Sequence, residues 1–241
     1  MEPSLAIGIV GGMSPESTAT YYQHIVHRHQ AEFHNHDYPR IIIASVSFQR
    51  YVEWQHEGAW VQIARGLESE FQAVASAGAD FAILATNTMH KVLPQIHSPV
   101  PVLSILDAVG RHTKLKGIKN IGLTGTRFTM SDGFYAQGLE SQGLSVVLPN
   151  AAEQETIHNI IYDELIFGRV NLSSASKFIE IAQGLLTRGA EAILLGCTEL
   201  EFLTRENPSQ LIFIDSTKVH ADTAWEISKG KLSLSASHGI L

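Results

Sequence analysis

The second half of this 241-residue chain repeats the first, and that repeat limits what it can fold into. Asn120-Ile121-Gly122-Leu123-Thr124-Gly125-Thr126 matches Ala6-Ile7-Gly8-Ile9-Val10-Gly11-Gly12. Phe81-Ala82-Ile83-Leu84-Ala85-Thr86 matches Ala192-Ile193-Leu194-Leu195-Gly196-Cys197, and Leu103-Ser104-Ile105-Leu106-Asp107 matches Leu211-Ile212-Phe213-Ile214-Asp215. The three pairs recur in the same order at nearly equal offsets, which chance similarity among apolar segments does not produce. A Met and an aromatic follow each first segment: Met13 and Tyr21, then Met130 and Phe134-Tyr135. Two homologous halves are expected.

Within each half, short apolar runs alternate with segments of helical spacing. Ile7 to Val10 reads as a buried strand ending at Gly11-Gly12, with Ser14 as the N-cap and Pro15 as the first residue of a helix through Tyr21, Tyr22 and Ile25. Arg40–Ser47, Phe81–Ala85 and Val100–Leu106 read as further strands, and Trp60–Ala77 as a helix stopped by Gly78. Strands alternating with helices predict α/β domains, each a parallel sheet covered by helices on both faces. Pro99 and Pro101 suggest one crossover between halves and Asn207-Pro208 a second. The expected organisation is 1–100 plus 209–230 as the first domain, 101–208 as the second, and 231–241 as a flexible tail rich in Ser and Gly.

An apolar share of 44% supplies a sizeable core and excludes a disordered chain. With 17 basic against 24 acidic residues and no Lys/Arg run, a general nucleic-acid binder is not expected. No apolar stretch is long enough for a membrane span, and the first residues lack the basic start of a signal peptide. The single cysteine, Cys197, cannot form an internal disulfide, which fits a reducing compartment. A cytoplasmic protein with no membrane or nucleic-acid partner is expected.

Ligands of open parallel sheets bind beyond the carboxyl ends of the strands. Those ends read Gly11-Gly12-Met13-Ser14, Thr86-Asn87-Thr88, Gly125-Thr126-Arg127 and Cys197-Thr198-Glu199. Backbone N–H groups, hydroxyls, an amide and a thiol suit a small carboxylate better than a nucleotide. The glycines fit neither the dinucleotide fingerprint nor a phosphate-binding loop, and by themselves make only tight turns. A lone cysteine after a buried strand is usually a small hydrophobe. Cys197, however, stands where a helix is expected to begin, which would lower its pKa and favour the thiolate, and its counterpart in the repeat is Thr86.

These segments identify a resemblance to the aspartate/glutamate racemase family, the cofactor-independent amino-acid racemases. It is carried by Ile9-Val10-Gly11-Gly12-Met13-Ser14, Thr86-Asn87-Thr88-Met89-His90, Gly125-Thr126-Arg127-Phe128-Thr129-Met130 and Gly196-Cys197-Thr198-Glu199-Leu200, with Trp54-Gln55 and Gly58 in support. The resemblance implies two pseudo-symmetric α/β domains with the active site in the cleft between them, and a homodimer. It also implies two cysteines flanking the substrate α-carbon, but here Thr86 occupies the first cysteine position. A threonine hydroxyl cannot serve as a thiolate-like base at neutral pH, though it can donate or relay a proton.

Cys197 and Thr86 are therefore the expected catalytic pair, with Cys197 removing the α-proton of an L-amino acid. The expected substrate-binding residues are Met13, Gln55, Thr86, Asn87, Thr88, Thr126, Thr198 and Glu199. Met13 could equally fill the core and Gln55 lie on a solvated helix. Arg50, Lys91 and Arg127 could pair with a side-chain carboxylate; Asp163 and Glu164 would repel one if their helix closed the pocket, but read first as a solvated helix face. His24, His27, His29, His34 and His36 crowd one region, but their spacing matches no zinc motif. His90 reads as a structural hydrogen-bonder.

The expected activity is interconversion of L- and D-aspartate or glutamate, favouring the L-substrate, with no cofactor or metal. Broader amino-acid specificity, a single-cysteine decarboxylase related to arylmalonate decarboxylase, and a non-catalytic amino-acid-binding protein are the alternatives.

Overall fold

A computed structural model describes residues 4–204 and 211–234. It divides the chain into two compact units, Met1–Ala108 with Thr217–Leu241, and Val109–Ser216. Each contains one four-stranded, wholly parallel sheet of the same topology. The orders are β2-β1-β3-β4 and β6-β5-β7-β8.

The first unit comprises β1 (Ile7–Gly11), α1 (Pro15–Phe33), β2 (Ile41–Ser45), α2 (Phe48–His56), α3 (Trp60–Ser76), β3 (Phe81–Leu84), a 3₁₀ helix over Thr88–Gln95, and β4 (Val102–Leu103). α4 (Ile105–Leu115) carries the chain into the second unit. There follow β5 (Asn120–Gly125), α5 (Arg127–Ser131), α6 (Phe134–Ser141), β6 (Ser145–Val147), α7 (Ala151–Asp163), α8 (Leu172–Thr187), β7 (Ala192–Gly196), the four-residue α9 (Glu201–Thr204) and β8 (Phe213–Asp215). α10 (Ser216–Ser228) returns to the first unit.

Alternation along the strands sets the layers of the first unit. Ile7 and Ile9 of β1 and Phe81 and Ile83 of β3 share a cluster with Tyr21 and Ile25 of α1 and with Ala221, Ala224 and Trp225 of α10. The intervening Val10, Ala82 and Leu84 pack instead with Ile63, Leu67, Phe71 and Val74 of α3. Both sheet faces are thus dry, which explains why these strands read as unbroken apolar runs. In the second unit, Ile193 and Leu195 of β7 meet Ile157, Ile160 and Ile161 of α7 and Phe178, Ala182 and Leu185 of α8. Ser14 caps α1 as expected, its side chain accepting from Ser17 N, with Pro15 opening the helix.

Strand register reproduces the sequence repeat. Ile7 pairs with Phe81 and Ile121 with Ala192, so the first two matched segments are true counterparts, and Thr86 and Cys197 stand at equivalent strand ends. The third match is corrected. Ala82 pairs with Val102 and Ile193 with Phe213, so Val102, not Ile105, corresponds to Phe213. Consequently Asp215 ends β8 while Asp107 lies in the first turn of α4, and the two are not equivalent. The expected strand Val100–Leu106 is cut short because Ile105 already belongs to α4.

The domain boundaries expected at 100 and 209 differ from the unit limits, because the chain passes between units in α4 and at the start of α10 rather than at the prolines. Asn207-Pro208 lies outside the described residues, as does the tail from residue 235. The start of that tail is not loose. Leu232 and Leu234 pack against the Trp225 cluster, and Lys231 hydrogen-bonds Glu32.

Two buried histidines cross-link the first unit. The Nε2–H of His220 donates to Leu103 O at 3.0 Å, and its Nδ1 accepts from Tyr21 Oη at 2.9 Å. The Nδ1–H of His90 donates to Thr86 O at 2.7 Å, and its Nε2 accepts from Ile105 N at 3.0 Å. Carbonyls only accept and amides only donate, so the Thr86 carbonyl and the Ile105 amide fix His90 as a neutral tautomer, and the Leu103 carbonyl places a proton on Nε2 of His220. Burial lowers His90 from 6.5 to about 4, and burial with the neighbouring His90 lowers His220 to about 3. The unfolded chain therefore binds protons near pH 6.5 that the native fold refuses. Stability present at neutral pH should fall below pH 6.5, by about 1.4 kcal/mol per pH unit for each histidine, until about pH 4. Urea unfolding at pH 7 and pH 5 checks this. His220→Gln should flatten the pH slope, and an unchanged slope would remove His220 from the account.

Candidate active site

In the first unit the candidate residues gather where β1 and β3 end. Gly12 has φ +91°, and a Cβ there would stand 2.5 Å from both the N and the O of Val46, so only glycine permits this turn. Gly12 N donates to Thr18 Oγ1 at 2.8 Å, tying the turn to the first turns of α1. Met13 is buried beside the α3-side cluster. Thr86 follows β3 half-buried, its N–H donating to Leu84 O at 2.9 Å, and its hydroxyl is engaged by no described residue. Asn87 is buried just before the 3₁₀ helix that Thr88 opens. Gln55 is only 7% exposed at the end of α2, so it is not on a solvated face.

Three cations are candidates to meet a side-chain carboxylate of a substrate. Lys91 Nζ lies 3.9 Å over the ring of Trp60, and Arg50 5.8 Å over that of Trp54. Arg127 is exposed at the start of α5, where Thr126 is the N-cap. Among the clustered histidines, His24 meets Asp222 at 3.0 Å, His29 meets Asn35 at 2.8 Å, and His34 is the left-handed C-cap of α1. Among the described residues, no group of three or more His, Cys, Asp and Glu side chains is placed to hold a metal ion.

The second unit carries the reactive group. Cys197 follows β7 half-buried, and its thiol donates to Glu199 Oε2 at 2.9 Å. The same oxygen accepts from Thr198 Oγ1 at 2.7 Å. The expectation of a thiol activated by a helix N-terminus is overturned. Cys197 caps only a three-residue 3₁₀ turn, Thr198–Leu200, before the short α9, so little dipole accumulates. Burial and the adjacent Glu199 carboxylate instead push the thiol well above its ordinary pKa. The resting group is a thiol hydrogen-bonded to a carboxylate.

Two neighbours escaped the sequence reading. Tyr162 has its hydroxyl pKa raised by burial and then by the charges of Cys197 and Glu199. His158 lies one helical turn earlier, its ring centroid 4.5 Å from that of Tyr162 and its Nδ1 accepting from Arg127 N at 3.3 Å. Burial and the Arg127 charge hold His158 below its usual pKa against Asp163. The spacing of His158 and Tyr162 on one face of α7 was a usable signal. Asp163 is exposed, whereas Glu164 turns inward to accept from Ser174 Oγ at 2.8 Å, so only Asp163 fits a solvated face.

Glu199→Gln separates two effects of the carboxylate. Losing the charge should move the alkylation midpoint of Cys197 to lower pH, while losing the proton acceptor should slow turnover by about 10²-fold. Iodoacetamide labelling across pH, alongside turnover rates, checks both. A midpoint moved upward would contradict the electrostatic assignment.

Comparison with known proteins agrees with the fold. Residues 10–224 match the Asp/Glu/Hydantoin racemase family. The broad specificity amino-acid racemase RacX of Bacillus subtilis (strain 168) is 23% identical over 225 residues, covering 88% of this chain and 92% of that protein. The crystal structure of PH1733, an aspartate racemase homologue from Pyrococcus horikoshii OT3, superposes with a TM-score of 0.82 at 33% identity, covering 95% of this chain and all (100%) of that one. A Yersinia pestis protein assigned to the Asp/Glu racemases gives a TM-score of 0.87 at 34% identity, over 93% of this chain and 99% of that one. The family match and the duplicated sheets agree, and the chain belongs to the Asp/Glu/hydantoin racemase family as an isomerase of the racemase class.

Proposed function

We propose that this racemase interconverts the L- and D-enantiomers of aspartate or glutamate without cofactor or metal, and that it works more readily on the L-substrate. The observation that carries the reading is the 2.9 Å hydrogen bond from the Cys197 thiol to Glu199, at the strand end whose counterpart is Thr86. Glu199 takes the thiol proton, and the thiolate so formed removes the α-proton from the L-amino acid. The carbanion then accepts a proton on its other face from the Thr86 hydroxyl or a water that it holds. Solvent carries the proton from Glu199 back to the Thr86 side, which closes the cycle. A thiol is far the better proton carrier of the two, which makes the reaction lopsided.

Met13, Gln55, Asn87 and Thr88 of the first unit and Thr126 and Thr198 of the second are the substrate-binding residues in this reading, with Asn87 and Thr88 on the α-carboxylate. The enzyme acts in the cytoplasm as a homodimer. Among the described residues, no helix is long and apolar enough to cross a membrane. A second reading, wider amino-acid tolerance, is favoured by Lys91 and Arg50 lying over tryptophan rings. Chiral chromatography of incubations with a panel of L-amino acids tests both. Borohydride-treated and chelator-treated enzyme should still form D-aspartate or D-glutamate. Failure that a carbonyl cofactor or one metal restores would overturn the cofactor-independent mechanism.

A further inference from the structure

We propose that His90 is a positioning residue for Thr86, holding the proton-returning side of the reaction in register; this rests on the Thr86 role proposed above. His90 is 3% exposed, and its Nδ1–H donates to the carbonyl of Thr86 at 2.7 Å. That bond fixes the peptide plane leading from Thr86 into Asn87. His90 is itself anchored, since its Nε2 accepts from Ile105 N at 3.0 Å where α4 begins. The ring of His220 stands nearly perpendicular to it, 5.8 Å between centroids, and is held in turn by Tyr21 and Leu103. A chain of neutral, singly oriented groups thus runs from the core of the first unit to the backbone of Thr86.

The repeat shows that this brace belongs to one side only. The strand registers that equate Thr86 with Cys197 equate His90 with Glu201, and the Cys197 carbonyl accepts from Leu200 N at 3.2 Å. The thiol end is closed by a backbone turn, whereas the hydroxyl end is clamped by an imidazole. The difference has a chemical reason. A thiol works by ionising and tolerates small displacements through its large, polarisable sulfur. A hydroxyl that does not ionise contributes only through placement, and a misplacement of about 1 Å can cost about 10²-fold.

The test uses L-aspartate or L-glutamate in D2O and separates two products of the same carbanion. Redelivery by Cys197 gives α-deuterated L-amino acid, and delivery from the Thr86 side gives the D-enantiomer. His90→Leu, which keeps the approximate shape but no donor, should lower the ratio of inversion to retention about tenfold or more while α-deuteration of the L-substrate stays within a few-fold of the parent. His90→Asn, which keeps a donor near the Nδ1 position, should restore most of that ratio. Should His90→Leu not fold, His90→Gln serves in its place, because its Oε1 can accept from Ile105 N while its NH2 is no longer held at the Nδ1 position that serves the Thr86 carbonyl.

An unchanged ratio in a folded Leu or Gln variant, or equal losses of both products, would overturn the positioning role. Thr86→Val separates this from the underlying reading. If Thr86→Val lowers the ratio and His90→Leu does not, only the positioning role falls. If Thr86→Val leaves the ratio unchanged, the Thr86 assignment itself is wrong.

Discussion

Replacing Cys197 with alanine should abolish α-hydrogen exchange from L-aspartate and L-glutamate, with a loss of at least the roughly 10²–10⁴-fold that a positioned base contributes. The fold should survive. The side chain is half-buried at the edge of the α7–α8 cluster, and the change removes a single sulfur. Cys197→Ser gives a sharper comparison, because the hydroxyl can keep the bond to Glu199 but ionises far less readily than a thiol. Both variants should be inactive, with unfolding midpoints near the parent. Undiminished exchange in either would take the thiol out of the mechanism and leave Glu199 or Tyr162 as the proton carrier.

Thr86→Cys should raise the initial exchange rate from the D-enantiomer by up to about 10²-fold and that from the L-enantiomer much less. The register of the two sheets makes residue 86 the counterpart of Cys197, so the variant installs a thiol at the strand end that lacks one. The hydroxyl of Thr86 is engaged by no described residue, and its backbone is held by Leu84 and His90, so a thiol fits without breaking an existing side-chain bond. The gain is limited because the register puts Thr88, not a carboxylate, at the position equivalent to Glu199. Exchange measured separately from each enantiomer is the readout, since the equilibrium between them stays at one to one. An unchanged D-side rate in a folded variant that binds substrate would show that Thr86 does not face the α-carbon.

The fold was legible because its governing signals are local. Unbroken apolar runs such as Ile7–Val10 and Ala192–Leu195 exist because both faces of each sheet are covered, and the Ser14-Pro15 start of α1 is written in two adjacent residues. The third repeat slipped because β4 and β8 are only two and three residues long, too short for side-chain pattern to fix a register. The chemistry of Cys197 was misjudged for a related reason. Sequence shows a residue ahead of a helix, but not that the helix is a three-residue turn or that Glu199 folds back onto the thiol.

His220 left no trace in the sequence. Its partners, Tyr21 and Leu103, are brought to it by the return of α10 onto the first sheet, and nothing near residue 220 encodes them. His90 was recognised as a hydrogen-bonder, but the carbonyl it holds, that of Thr86, became evident only from the geometry.

The most direct test of the central claim is the initial incorporation of deuterium at the α-carbon of L-aspartate and L-glutamate in D2O, followed together with formation of the D-enantiomer. The account predicts exchange with at least one of the two by chelator-treated enzyme, and a final mixture of equal L- and D-forms. It also predicts that Cys197→Ala stops both signals. Absence of exchange from both amino acids with folded enzyme, or exchange that persists in Cys197→Ala, would contradict it.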